Sequence, residues 1–386
     1  MKKVLEVLPA FGTGGVESYV FDILTSLAKT HKEHTFYVAS SGGALVDKLP
    51  SNVNHFNLPL NKRSPFVMLQ NTLALRKICK AHAIDRMHAH SRAPAWSCYL
   101  SSKLLKIPFA ATFHGAHKAQ NWFKKFYNSS MMRGEYVVAV SQFIHQHLQT
   151  IYPAYTKDKI VDIFEGIDTN RFHKKHIPFD QVLAKREELK IPFYHKVILL
   201  PGRFAKLKGH LEYIEAFQQL PEDTKNNVTS IFIGNIKDKP DYVETLKGEV
   251  SINNMTCIFL DSSDHIELFY ALSDVVVVPT QVPESFGRVI AEALSMEAIV
   301  VSIDHGGSVE LSHDGRYAFL SKSGCVHALA AQMKRALSLS IKEKKDLTEN
   351  THAFLTENYG LDSMIQKIEA QIYSYSKEEV NFPPIC

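Results

Sequence analysis

Eleven residues, Val282-Pro-Glu284-Ser-Phe-Gly-Arg-Val-Ile-Ala-Glu292, set two carboxylates eight positions apart around a small-residue turn, Ser285-Phe286-Gly287. Upstream, Asp274-Val-Val-Val-Val-Pro279 reads as a buried parallel strand, and Val289-Ile290-Ala291-Glu292-Ala293-Leu294 reads as helix. Strand, loop and helix in that order leave backbone N–H groups and the positive end of a helix dipole at the mouth of a sheet, where phosphate binds well. A carboxylate before the helix start and another about two turns inside it would stand roughly 12 Å apart by helical rise. That is about the length of a sugar–diphosphate–ribose unit, and carboxylates are suitable acceptors for the hydroxyls at its ends. A surface glutamate followed by a helix-stabilising one would have the same spacing.

A second stretch, Leu199-Leu-Pro-Gly202-Arg203-Phe-Ala-Lys206-Leu-Lys208-Gly209-His210, follows a strand with a glycine-bearing basic loop. Arginine can bind a diphosphate bidentately and lysine as a point charge. It is not a Walker A loop, because no G-K-[ST] closes it. A third stretch, Pro9-Ala-Phe-Gly12-Thr-Gly14-Gly15-Val-Glu17, joins the first strand to a helix expected from Ser18 onward. Its glycines suit a tight βα turn close to a phosphate, but the dinucleotide fingerprint G-x-G-x-x-G is absent.

These loops need sheets to hold them. Strand-like runs fall at Val4–Leu8, Thr35–Ala39, Arg86–Ala89, Phe109–Phe113 and Tyr136–Val140, with helical stretches between them, notably Val16–Lys29 and Val67–Ala81. A second series comprises Val197–Leu200, Ser230–Ile233, Cys257–Leu260, Val275–Val278 and Ile299–Ser302. Alternation of this kind indicates parallel sheets covered by helices. The expected architecture is α/β, two Rossmann-like doubly wound domains facing a cleft, spanning 1–172 and 190–360. Residues 168–195 read as the link, and a C-terminal helix within 361–386 is expected to pack back on the first domain. Ligands in such sheets sit beyond the carboxyl ends of the strands.

With 386 residues, 45% hydrophobic and 22% charged, the chain has the composition of a soluble two-domain protein. Five scattered cysteines without a C-x-x-C read as reduced thiols of a cytoplasmic protein, not as a disulfide or zinc framework. The start, M-K-K-V-L-E-V-L-P, is broken by Glu6 and Pro9 and reads as a strand, not a signal peptide. Charge is uneven: residues 1–170 hold 20 Lys/Arg and 11 Asp/Glu (net +9), leaving 24 and 29 (net −5) for the rest. The basic half suits an anionic partner, whether lipid, a phosphorylated acceptor or nucleic acid, although solvated surface charge has the same composition. No recognised motif supports nucleic acid.

Together, Gly202-Arg203…Lys208-Gly209, Pro283-Glu284-Ser285-Phe286-Gly287…Glu292 and Asp304-His-Gly306-Gly307…Glu310 resemble the family 4 retaining glycosyltransferases of the GT-B fold. Gly14-Gly15-Val-Glu17, Thr112-Phe-His114-Gly115, Val138-Ala-Val-Ser141 and Glu165-Gly166-Ile167-Asp168 follow in the family's order, so the resemblance covers nearly the whole chain. Glu165 stands where asparagine is common and Ala318 where glycine often is. Within the family, His88-Ala-His90-Ser-Arg92-Ala-Pro-Ala-Trp96 and the Asp-His-Gly-Gly element resemble bacterial enzymes that build the lipopolysaccharide core.

The resemblance implies that Arg203 and Lys208, beside Gly202, hold a nucleotide-sugar diphosphate and offset charge on the leaving group. It assigns Glu284 to the donor sugar's hydroxyls, Glu292 to the ribose, and the N–H groups of Ser285, Phe286 and Gly287 to the phosphate. Gly14 and Gly15 would close over the donor from the opposite domain, and His114 would lie beside the reacting sugar. No metal or cofactor is expected; no D-x-D site is present. The implied acceptor is a cell-envelope glycolipid, with capsule, exopolysaccharide or a small molecule as alternatives. A GT-B scaffold that only binds glycan or nucleotide and an epimerase of nucleotide sugars are the other readings. Finally, His117-Lys118-Ala-Gln-Asn-Trp122-Phe123-Lys124-Lys125-Phe126-Tyr127 has the composition of an interfacial helix. With Arg92 it would meet the acceptor or the anionic inner-membrane surface, making the protein peripheral to that membrane. A helix with inward aromatics and solvated lysines fits equally.

Overall fold

The computed structural model describes residues 1–12, 14–117, 121–156 and 159–374. The chain divides into two units, one of Met1–Gly166 with the segment from Leu361, the other of Ile167–Gly360.

The first unit is a parallel sheet of β1 (Val4–Val7), β2 (Phe36–Ser40), β3 (Val53–Asn57), β4 (Arg86–Ala89), β5 (Phe109–Phe113), β6 (Val137–Ala139) and β7 (Ile160–Asp162). Its order is β3-β2-β1-β4-β5-β6-β7. The second unit contains β8 (Lys196–Pro201), β9 (Val228–Ile233), β10 (Cys257–Leu260), β11 (Val275–Val278), β12 (Ile299–Ile303) and β13 (Phe319–Ser321), ordered β10-β9-β8-β11-β12-β13. In both, the order reverses beside the first strand, and crevices for ligands form at such switch points. Unbroken apolar runs such as Val275–Val278 are what a strand covered on both faces requires. Each sheet accordingly carries two buried clusters, one per face.

Three short strands, β3, β7 and β13, are additional to those read from the sequence. Residues 168–195 are not a bare link: Phe172 and Ile191 sit in a core of the second unit, and Phe179–Glu188 is helical. The first-unit helices that matter below are α1 (Gly15–Thr30), α2 (Pro65–His82), α3 (Arg92–Leu105) and α4 (Trp122–Asn128). α1 therefore begins at Gly15 and not at Ser18, with Gly14 as an extended N-cap.

The returning segment is helical over Leu361–Ile368 and continues in a π turn to Tyr373. Met364, Ile368, Ile372 and Tyr373 join the cluster under α1. Buried Arg86 secures it by donating to the carbonyls of Gln371 (3.0 Å) and Ile372 (2.9 Å), with Glu135 as its counter-ion. Residues 375–386 of the expected C-terminal helix lie outside the described residues.

Candidate active site

In the second unit, β8 ends at Pro201 and the chain turns at Gly202. It re-approaches the sheet at Gly209, with φ of 78°. A Cβ there would stand 1.9 Å from the carbonyl oxygen of Pro279, so only glycine lets this loop press against the end of β11. The contact brings Lys208 to Glu284: Nζ lies 2.7 Å from Oε1, and Thr280 Oγ1 donates to the same oxygen at 2.9 Å. Both side chains remain about one-fifth exposed, at 20% and 19%. The Glu284 backbone is pinned in turn, its carbonyl accepting from Gly307 N at 2.9 Å. Arg203 is exposed beside them and makes no side-chain hydrogen bond among the described residues.

The helix after this loop begins at Arg288, because Gly287 is an N-cap with φ of 103°. Glu284 therefore belongs to the loop, and Glu292 sits little more than one turn inside the helix instead of about two. The expected helical ruler between the two carboxylates does not apply. Phe286 is buried against Tyr359, while Ser285 is partly exposed ahead of the helix N-terminus, whose first N–H groups lack intrahelical partners. Glu292 is buried, accepting from Tyr270 Oη (2.9 Å) and Arg288 Nε (3.1 Å). Burial raises its pKa against the opposing effects of Arg288 and Tyr270. Each oxygen retains a second lone pair for another donor.

In the first unit, Gly14 and the exposed Gly15 open α1. His114 follows β5, with Tyr19 edge-on at 4.7 Å. His114 Nε2 lies 3.1 Å from His90 Nδ1, and His90 Nε2 lies 2.6 Å from Glu6 Oε2. His88 Nδ1 stands 2.8 Å from that same oxygen, too bent for a good hydrogen bond, and its Nε2 pairs with Thr112 Oγ1 at 2.7 Å. Tyr373 Oη donates to Glu6 Oε1 at 2.6 Å. Glu6, His88 and His90 could together ligate a metal. Their contacts are those of hydrogen bonds, however, shorter than the roughly 3.3 Å between ligands about a tetrahedral zinc. Although burial opposes it, the two imidazoles hold the Glu6 carboxyl far below the usual range. Burial, with His88 beside it, lowers His90 to about 4, and burial lowers His114 strongly.

Arg92 starts α3, donates to Asn128 Oδ1 at 3.0 Å and covers the Tyr127 ring. In α4, capped by Asn121, Trp122 is 69% exposed, Phe123 75% and Phe126 48%, and Lys124 and Lys125 are exposed beside them. The aromatics do not pack inward, apart from the contact of Phe126 with Trp96. Lys118 lies outside the described residues.

The structure thus gathers Gly202, Arg203, Lys208 and Glu284 at neighbouring strand ends, and puts Glu292 in a network of its own. Sequence reasoning missed Thr280, Tyr270 and Glu6. A glutamate inside a strand expected to be buried was the available signal for Glu6, since buried charge demands partners.

Two Rossmann-like units with basic and acidic groups at their switch points define a GT-B architecture. The description Glycosyltransferase Family 4 matches residues 13–171, and Glycosyl transferases group 1 matches residues 182–354. A solved glycosyltransferase from Rickettsia africae is 30% identical, with a TM-score of 0.84 over 96% of this chain and 98% of that one. This chain belongs to the glycosyltransferases. Anabaena Alr3699/HepE, solved with UDP-glucose, shares the fold at 22% identity and a TM-score of 0.81, covering 97% and 100% of the two chains. A lipopolysaccharide 1,2-N-acetylglucosaminetransferase of Salmonella typhimurium is 26% identical over 49% of this chain and 51% of its own length, so the match spans about half of that relative.

Proposed function

We propose that the protein is a retaining glycosyltransferase that moves a sugar from a nucleotide donor to a cell-envelope glycolipid, in assembly of the lipopolysaccharide core. The observation that carries the reading is the Lys208–Glu284 pair at 2.7 Å where β8 and β11 meet. Arg203 and Lys208 hold the diphosphate, with N–H groups at Ser285–Gly287, and offset the charge that builds on it as the glycosidic bond breaks. Glu284 accepts from the sugar's hydroxyls and Glu292 from the ribose. Gly14 and Gly15 serve the donor, and His114 the reacting sugar. The acceptor hydroxyl attacks the face the phosphate leaves, and the departing phosphate oxygen takes its proton, so configuration is retained with lysine and arginine supplying the positive charge. The Salmonella relative supports the acceptor class, and the Anabaena complex makes UDP-sugars the first donors to try.

A thermal-shift panel of nucleotide sugars tests the donor. One UDP-, GDP- or ADP-sugar at about a hundred times its Kd should raise the midpoint by roughly 5–10 °C. Most of that rise should vanish in Glu284→Ala. No shift with any nucleotide would overturn the reading.

No helix among the described residues is long and apolar enough to cross a membrane. Peripheral attachment is supported by the exposed face of α4 and by exposed Phe66, Leu69 and Leu73 on α2 and Leu100 and Leu104 on α3. At about 1 kcal/mol per basic residue near an anionic surface, Lys124→Glu/Lys125→Glu should weaken sedimentation with phosphatidylglycerol vesicles at least tenfold. Unchanged sedimentation would remove α4 as the anchor.

A further inference from the structure

We infer that Glu6 and His90 are positioning residues: through a buried chain of hydrogen bonds they hold His114 as the tautomer that carries its proton on Nε2 and its lone pair on Nδ1. The inference deepens the proposed function, on which its activity measurement rests, whereas its spectroscopic measurement does not.

The directions of the chain follow from valence. A carboxylate only accepts, so the 2.6 Å contact of His90 Nε2 with Glu6 Oε2 requires a proton on Nε2. Neutral imidazole carries one proton, which leaves His90 Nδ1 as an acceptor. The group 3.1 Å away, His114 Nε2, must then donate to it. His114 Nδ1 then carries the lone pair, the form in which that atom accepts a hydrogen bond. Neutral His90 at pH 7 agrees with its pKa of about 4.

The fold builds this chain from strands distant in sequence. β1 and β4 pair so that Glu6 lies opposite His88, and β4 pairs with β5, after which His114 follows. Glu6, His88 and His90 are each 2% exposed or less, so no water competes for the carboxylate. Its other oxygen is occupied by Tyr373 Oη, which fixes the rotation of the carboxyl group. Tyr19 closes one side of His114 edge-on. A charge inside the central strand costs stability unless paired. Aligning a histidine through a second group is a use that would retain it, as carboxylates orient histidines in other sites.

Glu6→Gln removes the charge that keeps the proton on His90 Nε2. The new amide N–H can donate to that nitrogen, move the His90 proton to Nδ1 and invert His114. In protein labelled with 15N-histidine, the wild type should show His114 protonated on Nε2, the signal being assigned by its loss in His114→Gln. Glu6→Gln should show the other tautomer or a mixture. Sugar transfer from the donor found by thermal shift should fall about 10- to 100-fold in kcat, the size of effects seen when a histidine loses its orienting partner, with donor KM within about twofold. Should Glu6→Gln fail to fold, His90→Phe keeps the ring without the acceptor and should give the same kcat loss. His90→Gln, whose amide oxygen can accept from His114, should retain more activity than His90→Phe. An unchanged His114 tautomer in Glu6→Gln and His90→Phe overturns the inference, as does a rise in KM that accounts for the whole loss. If the wild type transfers no sugar from any donor, the functional reading falls and the tautomer spectra alone decide the inference.

Discussion

Lys208→Ala is expected to lower kcat by about 10²- to 10³-fold while moving the thermal midpoint by only a few degrees, the loss typical of one charge-stabilising donor. The two halves of that expectation have different origins. As a stabilising contact, the Lys208–Glu284 pair is modest, because both side chains are about one-fifth exposed, and pairs reached by water contribute little. As a charge beside a diphosphate, Lys208 interacts more strongly as the leaving group gains charge, and only such differential binding accelerates a reaction. Lys208→Arg keeps the charge but replaces a compact ammonium with a planar fork on a longer stem. It should recover part of the loss, not all of it. Steady-state kinetics with the nucleotide sugar found by thermal shift provide the measurement. A variant whose KM rises while kcat stays put would show Lys208 to bind substrate and transition state equally, and its catalytic role would be withdrawn.

Why Lys208 and Glu284 were legible beforehand, and Glu6 was not, is a matter of sequence distance and burial. β8 and β11 are apolar runs of the kind a doubly covered sheet demands, so their ends and the loops after them could be placed. The loops then carry their chemistry in short motifs. β3, by contrast, reads Val-Asn-His-Phe-Asn and is partly exposed at a sheet edge, and β7 and β13 have three residues each. Such strands have too few buried positions to stand out. The start of the helix at Arg288 depended on a left-handed Gly287, which a run of helix-forming residues does not announce. Glu6 and His90 are 84 residues apart and meet only through strand pairing. Until β1 and β4 are known to be neighbours, a glutamate in an apolar strand looks like an interruption.

The same buried histidines make the first unit sensitive to acid, the second effect expected to be large. Burial lowers His90 and His117 to about 4, and His114 strongly, from an ordinary 6.5. Below pH 6.5 the unfolded chain binds a proton at each, and the folded unit does not. Their neutral burial is therefore without penalty above 6.5, and stability is lost as pH falls from there toward 4. Three groups at about 1.4 kcal/mol per pH unit each remove about 4 kcal/mol between pH 6 and pH 5. For a unit of this size that is a fall of roughly 8–16 °C in midpoint. In the second unit burial lowers His210 to about 4 and also lowers His173 and His195, while Glu292 is raised by burial and gains stability as pH falls. The acid loss there should be smaller. The two tryptophans in the chain, Trp96 and Trp122, both lie in the first unit, so fluorescence melts follow it alone. Burial also lowers His55 and His147 in this unit, so His117→Phe removes one of several such groups and should flatten the pH dependence in part, since each lowered histidine contributes a linkage slope of the same sign. A tryptophan-detected midpoint that does not move between pH 6 and pH 5 would mean that these histidines are charged in the folded protein, and the direction of the His90–His114 contact, though not that of His90 to Glu6, would have to be reassigned.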